Sequence, residues 1–412
     1  MTTLKGLSAG KIGTSTKAAV VSVVFVANAF AWYLTAARSL TDIADNGGFS
    51  STEVLVLWGL SIIAIAVSAL FSVYISNQTK KRTSFLRYWM LAGIAISLLP
   101  LLFDLTQLNI LTAFSVMQGI YFGLGMPACL AYFAASIKPE NRARMGGLTF
   151  FAIFATVLLL RIFESESILL NAIVLASFKG IGLAIVTALK PVEPEIAKHD
   201  QPSYQSILGS RQFLLYFVPW TMFSVVNYMA GPIAAKVAPA DFSQYYTLIE
   251  NVLAGVFAVV SGFYGDRIGR KRLVVAAFTL VGLGYGSIGL FNENVYAWWF
   301  YTFADGIAWG AFYTLFLMTI WGDVAMGRSS EKYYALGSLP FLFSLFIQFS
   351  IANYVSSAVY KTAVFSFASL FLFLAILPLA YAPETLQNLR ERELKSYVEK
   401  AKRLKLSQSL KT

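Results

Sequence analysis

The sequence predicts an all-α integral membrane protein in which twelve transmembrane helices form two pseudo-symmetric six-helix bundles. Three observations lead to this prediction: the composition, the recurrence of long apolar segments, and the placement of the basic residues. Hydrophobic residues occupy 57% of the 412 positions and charged residues only 13%, whereas a soluble domain averages about 25% charged residues. The low charge indicates a chain that is largely surrounded by lipid.

Apolar segments of about 20 residues recur along the chain, and each is long enough to cross a hydrocarbon core of about 30 Å. They predict twelve spans, numbered in chain order: 18–38, 53–76, 85–103, 109–136, 147–163, 167–189, 212–235, 244–265, 272–291, 296–322, 333–357 and 361–382. The connections between these spans are short. They leave no room for a soluble catalytic domain, so we expect the protein to act within the bilayer.

The basic residues predict the orientation of the chain. Of the 32 Lys and Arg residues, all but five lie near the termini or near loops that follow even-numbered spans. The five exceptions are Arg38, Arg161, Lys179, Lys236 and Lys361. Because cytoplasmic loops carry an excess of Lys and Arg, we expect a multi-pass protein of the plasma membrane with both termini in the cytoplasm.

The chain has few residues of the kinds on which enzymes and metal sites depend. Cys129 is the single cysteine and His199 the single histidine. This excludes a disulfide framework, a thiolate or imidazole metal site and a Ser-His-Asp triad. No phosphate-binding G-x-x-x-x-G-K-[ST] loop occurs. We therefore expect no enzymatic activity, no cofactor or metal and, since the basic residues sit in short loops, no nucleic-acid partner.

The two halves of the chain resemble each other. Span 4 and its following loop align with span 10 and its loop at a shift of 191 residues. The matched pairs are Gly119 and Gly310, Glu140 and Glu331, Gly146 and Gly337, Leu148 and Leu339, and Phe150 and Phe341. We predict a first bundle at 1–189, a central linker at 190–211, a second bundle at 212–382 and a basic amphipathic tail at 383–412, for which a solvated tail is the alternative.

A glycine-rich basic loop joins spans 8 and 9. Its pattern comprises Gly262, Gly265, Asp266, Arg267, Gly269, Arg270 and Lys271. Glycines permit a tight turn and close backbone approach, and Asp266 can meet a helix N-terminus or a neighbouring arginine. The loop resembles the signature G-x-x-x-D-R-x-G-R-K/R of the major facilitator superfamily. The resemblance implies a monomeric transporter whose halves rock around a central cavity, with this loop as a latch of the outward-facing state.

Other features of that family are partial. The corresponding loop of the first half has Asn77 in place of the acid and Lys80 in place of a glycine. Span 4 has Ser115 where the motif linked to proton coupling has an arginine. The sequence Pro383-Glu384-Thr385 resembles the ending of sugar porters, and span 6 ends in Lys190-Pro191-Val192-Glu193. The resemblance therefore covers the superfamily and leaves the subfamily open.

Three charged residues lie deep inside predicted spans, where a charge costs about 2.5–3.5 kcal/mol. We predict that Asp305 in span 10 and Glu250 in span 8 bind a coupling proton or a substrate donor; an internal salt bridge and hydration from the outer vestibule are the alternatives. Lys179 in span 6 either contacts the substrate or pairs with an acid. Arg38 and Arg161 are interpreted as interfacial.

Uncharged polar and aromatic residues complete the predicted cavity, because amides and phenols hydrogen-bond polar solutes and aromatic faces stack on them. The predicted cavity residues are Asn28, Trp32, Tyr33, Asn227, Tyr228, Trp309 and Tyr313. Trp298, Trp299 and Tyr301 are interpreted as an interfacial aromatic belt.

The sequence thus favours a secondary transporter of a small polar organic solute that works by alternating access and is coupled to protons. An exporter of amphipathic compounds or lipids is the first alternative, and a transporter-like sensor or scaffold is the second. The expected partners are the small-molecule substrate, protons and membrane lipids.

Overall fold

A computed structural model gives the fold. It describes residues 16–79, 81–191, 193, 202–326, 328–358, 361–386, 394 and 398. Residues beyond Leu386, apart from two single positions, and residues 192 and 194–201 of the predicted linker lie outside the described residues. Within the described residues every regular element is helical.

Each predicted span corresponds to one long helix. The helices are α1 Thr16–Asn46, α2 Ser51–Gln78, α3 Arg82–Leu98, α4 Leu108–Ser136, α5 Pro139–Ile162, α6 Ile168–Leu189, α7 Arg211–Val237, α8 Ala240–Ile268, α9 Arg270–Leu290, α10 Val295–Val324, α11 Glu331–Ala358 and α12 Lys361–Tyr381. Of these, all except α11 are long and apolar enough over their described residues to span a membrane. The prediction of spans is confirmed, and α1, α5 and α8 extend beyond the predicted bounds by about a turn or more.

Local sequence signals explain several helix ends. Ser50 and Glu53 form a reciprocal capping box at the start of α2. Pro139 begins α5, where its missing N–H costs nothing. A π-helical segment, Tyr313–Thr319, interrupts α10. Such wide turns occur mostly as isolated insertions in α-helices, often near functional sites.

The helices pack first within each half of the chain. In the first half α1 packs against α4, α5 and α6, α2 packs against α4, and α3 packs against α6. In the second half α7 packs against α11 and α12, and α10 packs against α8 and α9. Across the halves the main contacts are α2 with α11 and α5 with α8. This pairing relates the second helix of each half to the fifth helix of the other.

Glycines permit the close crossing of α5 and α8. A Cβ added at Gly262 would lie 2.5 Å from the carbonyl oxygen of Ala143, and one added at Gly147 would collide with the carbonyl oxygen of Ala258. Backbone contacts of this kind are typical of small residues in membrane helices. Gly262 therefore permits the close packing of α5 and α8, in addition to its role in the glycine-rich loop.

The even number of crossings places the start of α1 and the end of α12 on the same side of the bundle. We call this side the termini face and the other side the opposite face.

Candidate functional site

Asp305 lies inside the second half, on α10, and only 1% of its surface is exposed. Its Oδ1 accepts a hydrogen bond of 3.2 Å from Asn227 Nδ2 of α7, and its Oδ2 accepts one of 3.4 Å from the hydroxyl of Tyr246 on α8. The Glu250 carboxyl, also on α8, lies beside Asp305 and Tyr246. Three helices thus bring two acids, an amide and a phenol together.

Two further tyrosines extend this cluster. Asn227 Nδ2 donates to the Tyr285 hydroxyl at 3.1 Å, and the Tyr301 hydroxyl donates to Tyr285 at 3.2 Å. The hydroxyls of Tyr246 and Tyr301 lie 3.4 Å apart. We call Asn227, Tyr246, Glu250, Tyr285, Tyr301 and Asp305 the carboxyl cluster. The sequence predicted its two acids and its amide, and it missed the three tyrosines.

The interpretation of Trp298 and Tyr301 as an interfacial belt is wrong. Each is only 1% exposed. Tyr301 belongs to the carboxyl cluster, and Trp298 Nε1 donates to the carbonyl oxygen of Asn292 at 2.8 Å. Trp299 is half-buried. A Tyr near a span end has the same sequence signature whether it faces lipid headgroups or a buried acid, which is why the pattern misled.

Aromatic rings surround the predicted cavity residues of α7 and α10. Tyr313 stacks on Phe150 of α5 with ring centroids 4.8 Å apart, so this contact crosses between the halves. Trp309 lies 4.8 Å from Tyr313 and 6.1 Å from Tyr228. Tyr228 also meets Phe341 edge to face at 5.7 Å. The three predicted residues are therefore neighbours and form an aromatic wall between the halves.

Lys179 lies elsewhere, fully buried within the first half. Its Nζ sits over the rings of Trp32, Trp89 and Tyr121 at 4.9, 4.4 and 5.1 Å from their centroids. It also donates to the carbonyl oxygen of Asn28 at 3.3 Å. No ion pair joins it to an acid among the described residues. The alternative of a structural pair with an acid is therefore wrong for the described part of the chain, and we call this arrangement the lysine cage.

The predicted cavity residues of α1 divide between packing and the cage. Trp32 is fully buried in the lysine cage, and its Nε1 donates to Ser97 Oγ at 2.7 Å. Asn28 donates through Nδ2 to the carbonyl oxygen of Phe178 at 3.1 Å. Tyr33 stacks on Phe122 at 4.1 Å. None of these three contacts belongs to the carboxyl cluster.

The glycine-rich loop makes both contacts that the sequence allowed for Asp266. The Asp266 carboxylate accepts hydrogen bonds from the backbone N–H groups of Ala143 and Arg144 in α5, at 3.1 and 2.9 Å. It also lies 2.9 Å from Arg270 Nη2. Because α5 belongs to the first half and Asp266 to the second, the loop joins the halves at the termini face.

The other residues of the loop have distinct positions. Gly269 has φ +102°, and a Cβ there would collide with the Glu384 carboxylate. Lys271 Nζ donates to the carbonyl oxygen of Ala380 at 2.7 Å. A Cβ added at Gly265 would lie 3.2 Å from the Ala143 methyl group. Arg267 is exposed and takes no part in the described ion pairs of this face.

A buried ionic network closes the same face, and the sequence did not predict it. Asp323 of α10 pairs with Arg142 of α5, and its Oδ2 lies 3.2 Å from Arg270 Nε. Thr385 donates to the same carboxylate at 3.1 Å. A second set of buried polar contacts centres on Glu331 of α11. These pairs connect the two halves through side chains that are less than one-tenth exposed.

Glu331 is fully buried and takes three partners from the first half. Arg82 Nη2 donates to its Oε2 at 3.0 Å, and the hydroxyls of Ser72 and Ser76 donate to its Oε1 at 3.1 and 2.8 Å. We call the sets around Asp323 and Glu331, with Asp266, the termini-face network. Glu331 stood out in the sequence only as one member of an internal repeat, because its partners lie some 250 residues away along the chain.

Two glutamates that follow the last helix of each half bind helix N-termini in the same way. Glu193 accepts hydrogen bonds from the N–H groups of Arg82 and Thr83 at 2.7 and 3.1 Å. Glu384 accepts hydrogen bonds from the N–H groups of Arg270 and Lys271 at 2.8 and 3.0 Å. The two acids are 191 residues apart, the shift that relates the two halves of the sequence. The duplication thus extends to how α3 and α9 begin.

The comparisons with known proteins agree on the fold. No protein-family model matches the sequence, and no curated protein sequence does. Among solved structures, the proton:xylose symporter XylE superposes with a TM-score of 0.67 at 15% identity, covering 91% of this chain and 98% of that one. A bacterial homologue of the iron transporter ferroportin, in an outward-facing state, superposes with a TM-score of 0.65 at 12% identity, covering 92% of this chain and 100% of that one. The human organic anion transporter MFSD10 superposes with a TM-score of 0.60 at 15% identity, covering 88% of this chain and 98% of that one.

The chain therefore has the major facilitator superfamily fold. This confirms what the glycine-rich loop implied about the architecture, and the subfamily stays open.

Proposed function

We propose that the protein is a secondary active transporter that moves a small polar organic solute by alternating access and couples its movement to protons. The observation that carries the proposal is the contact between the Glu250 and Asp305 carboxyls inside the second half. Two buried carboxyl groups this close repel each other when both are charged, so the pair favours holding a proton. The pair is thus a proton-binding site within a helix bundle, where charged side chains commonly mark ion pathways.

The rest of the carboxyl cluster supports a polar substrate. Asn227 and the hydroxyls of Tyr246, Tyr285 and Tyr301 supply both donors and acceptors beside the two acids. When a proton leaves the pair, the charge that appears on Asp305 or Glu250 changes which of these groups donate. A hydrogen-bonding solute at the cluster would then compete with the proton for the same partners, which is the linkage that coupled transport requires.

The aromatic wall favours one alternative. Tyr313, Trp309, Tyr228, Phe150 and Phe341 would also suit the apolar body of an amphipathic compound. An exporter of amphipathic compounds or lipids is therefore the second candidate. A non-transporting scaffold would have no use for buried acids inside the bundle, so the carboxyl pair argues against it.

The termini-face network supports an assignment of conformational state. If the distribution of basic residues sets the topology, this face is cytoplasmic. The halves are then joined on the cytoplasmic side through Asp266, Asp323 and Glu331, as in a transporter that faces outward. The remaining proposals are that both termini lie in the cytoplasm, that the protein is located in the plasma membrane, and that it is a monomer of two bundles at 1–189 and 212–382.

Solute-driven proton movement tests the proposed function. The purified protein would be reconstituted into liposomes that contain a pH-sensitive dye, and xylose, benzoate, glycine and 2-phenylethylammonium would be added outside in turn. We expect at least one solute class to change the internal pH, and the Asp305→Asn variant to lose this change by tenfold or more because the amide cannot carry the proton. Asp45→Asn, an exposed residue at the end of α1, is the matched control.

Two results would contradict the proposal. Asp305→Asn could transport a solute with unchanged pH dependence, which would remove the proton role. Alternatively, only the amphipathic amine could be moved, with no proton flux, which would favour the exporter.

A further inference from the structure

A cavity of about 810 Å³ opens at the opposite face, entirely within the first half. It is lined by the ends of α1, α3, α4, α5 and α6 and by the loops that connect them. Its volume lies in the range of about 300–1,000 Å³ that is usual for small-molecule sites. The carboxyl cluster is built only from helices of the second half, so this cavity is a separate place in the molecule. We call it the first-half cavity.

The polar atoms of the cavity indicate which chemical class of ligand would fit it. Two buried side-chain atoms that line it, Ser39 Oγ and Gln118 Oε1, have no hydrogen-bond partner among the described residues, and a third, Glu164 Oε1, has only an ion-pair contact of 3.4 Å with Arg38 Nε. All three are oxygens, and Gln118 as a whole is only 4% exposed. Leaving a buried acceptor unpaired costs about 1–3 kcal/mol. The arrangement therefore calls for a ligand that donates hydrogen bonds.

The charges around the cavity favour a cationic donor. Three carboxylates line it, from Asp42, Glu164 and Glu166, against two guanidinium groups, from Arg38 and Arg161. Arg38 Nε is already held 3.4 Å from Glu164 Oε1, and Arg161 is exposed, where solvent screens its charge. A primary ammonium has three donors and no acceptor, which suits a set of unpaired oxygens.

The walls add an apolar surface. Leu40, Phe114 and Leu175 line the cavity and are each less than one-tenth exposed. At the inner end is Ser97, whose hydroxyl binds Trp32 of the lysine cage and the carbonyl oxygen of Gly93. The Ser97 hydroxyl thus already accepts one hydrogen bond and donates another, so Gln118 Oε1 is the acceptor that remains for the ligand.

We propose that the first-half cavity binds a small amphipathic primary amine, with its ammonium group between Gln118 and Glu164 and its apolar body against Leu40, Phe114 and Leu175. The site goes beyond the proposed transport function and does not depend on it. Because every lining residue belongs to the first half, an amine can occupy the cavity without contact with the Asp305 carboxyl.

Protection of an introduced cysteine tests the proposal on the full chain. Cys129, the single native cysteine, is buried, so a charged maleimide should label mainly Ser165→Cys, which lines the cavity. We expect 2-phenylethylammonium to slow this labelling saturably, and the neutral isostere 2-phenylethanol to leave it unchanged.

Two substitutions in the Ser165→Cys background identify the contacts. Glu164→Gln removes the negative charge that faces the ammonium group, and Gln118→Leu removes the unpaired amide acceptor; we expect each to raise the half-protecting amine concentration about tenfold, as for a charge-assisted hydrogen bond. Glu293→Gln, an exposed acid in the loop before α10, and Asp305→Asn should leave protection unchanged. If Gln118→Leu fails to fold, Glu164→Gln at the cavity mouth decides the question.

The proposal is overturned if 2-phenylethanol protects as well as the amine, if no protection occurs, or if Glu164→Gln protects like the parent. Loss of protection in Asp305→Asn alone would place the amine in the carboxyl cluster and would likewise overturn it. A failure of proton-coupled transport with protection intact would contradict only the proposed function.

Discussion

At the scale of single residues, the proposed function depends most on the buried carboxyl groups of Asp305 and Glu250. Asp305 and Glu250 stood out because a charge in the bilayer needs a reason, and the fold brings them into contact. The tyrosines around them carried no such signal, since Tyr is common in cores and in interfacial belts alike. Partners from α8 and α9 become visible only once the helices are packed.

For Lys179 the sequence indicated the depth of the side chain in the membrane but not its partners. Its depth in span 6 was evident from the sequence, and an acid partner was one of the two expectations. The structure instead surrounds its ammonium group with Trp32, Trp89 and Tyr121, from three different helices. Cation–π contacts of desolvated groups are worth up to about 2 kcal/mol each, so three rings can replace a counter-ion. Aromatic residues spread over 90 positions of sequence give no hint of this.

The lysine cage predicts different outcomes for two substitutions of Lys179. Methionine has a similar volume and no charge, so we expect Lys179→Met to change the free energy of unfolding by less than about 1.5 kcal/mol. The larger, planar guanidinium of Lys179→Arg does not fit between the rings, and we expect a loss of about 1–3 kcal/mol. Thermal unfolding of both variants in one detergent compares them, and equal melting temperatures would contradict the cage.

At the scale of helices, the sequence predicted all twelve spans but not their internal detail. The π-helical segment Tyr313–Thr319 has no signature in the sequence, since its wide turn depends on packing against α5 and α8. The N-termini of α3 and α9 were more predictable. Glu193 and Glu384 occupy corresponding places in the two halves, and each closely follows a proline, Pro191 or Pro383. These two glutamates bind the N-termini of α3 and α9.

Removal of these carboxylates should destabilise the helices that they bind. Glu384→Ala leaves the N–H groups of Arg270 and Lys271 without their acceptors and removes a negative charge from a helix N-terminus. We expect a loss of about 1–2 kcal/mol. Glu193→Ala should cost a similar amount at α3, and the double variant should lose the sum of the two, because the sites share no partners.

Denaturant or thermal unfolding measures these losses against Glu293→Ala, an exposed acid with no such contact in the described chain. Equal stability of Glu384→Ala and Glu293→Ala would show that the carboxylate does not support α9.

At the scale of the whole molecule, the glycine-rich loop was enough to predict the superfamily fold, and 91% of the chain superposes on one member of it. The termini-face network was not predictable, because Arg82 and Glu331 meet only when the two halves close on each other. Its members look in the sequence like ordinary loop charges that set topology. Arg82, Arg142 and Arg270, which are among the basic residues from which the orientation was predicted, thus also join the halves.

Loss of one network acid should open the termini face. Glu331→Ala leaves Arg82 buried without its counter-ion, and breaking a buried pair in this way costs about 3–5 kcal/mol. That cost falls on the closed arrangement alone, so we expect a cysteine at Ser329, which is 4% exposed, to react with a maleimide at least tenfold faster in Glu331→Ala. The Glu293→Ala background is the control, and equal rates in the two backgrounds would contradict a closing role for Glu331.

The most direct test of the account is whether the two faces open reciprocally. Pairs of spin labels would be placed at the exposed positions Asn141 and Arg272 on the termini face, and at Asp45 and Glu293 on the opposite face. Distance distributions would then be measured in lipid nanodiscs at acidic and neutral pH. We predict two populations, in which the Asn141–Arg272 distance lengthens as the Asp45–Glu293 distance shortens, with their ratio dependent on pH and on Asp305. Distances that stay fixed, or that change in the same direction on both faces, would contradict alternating access.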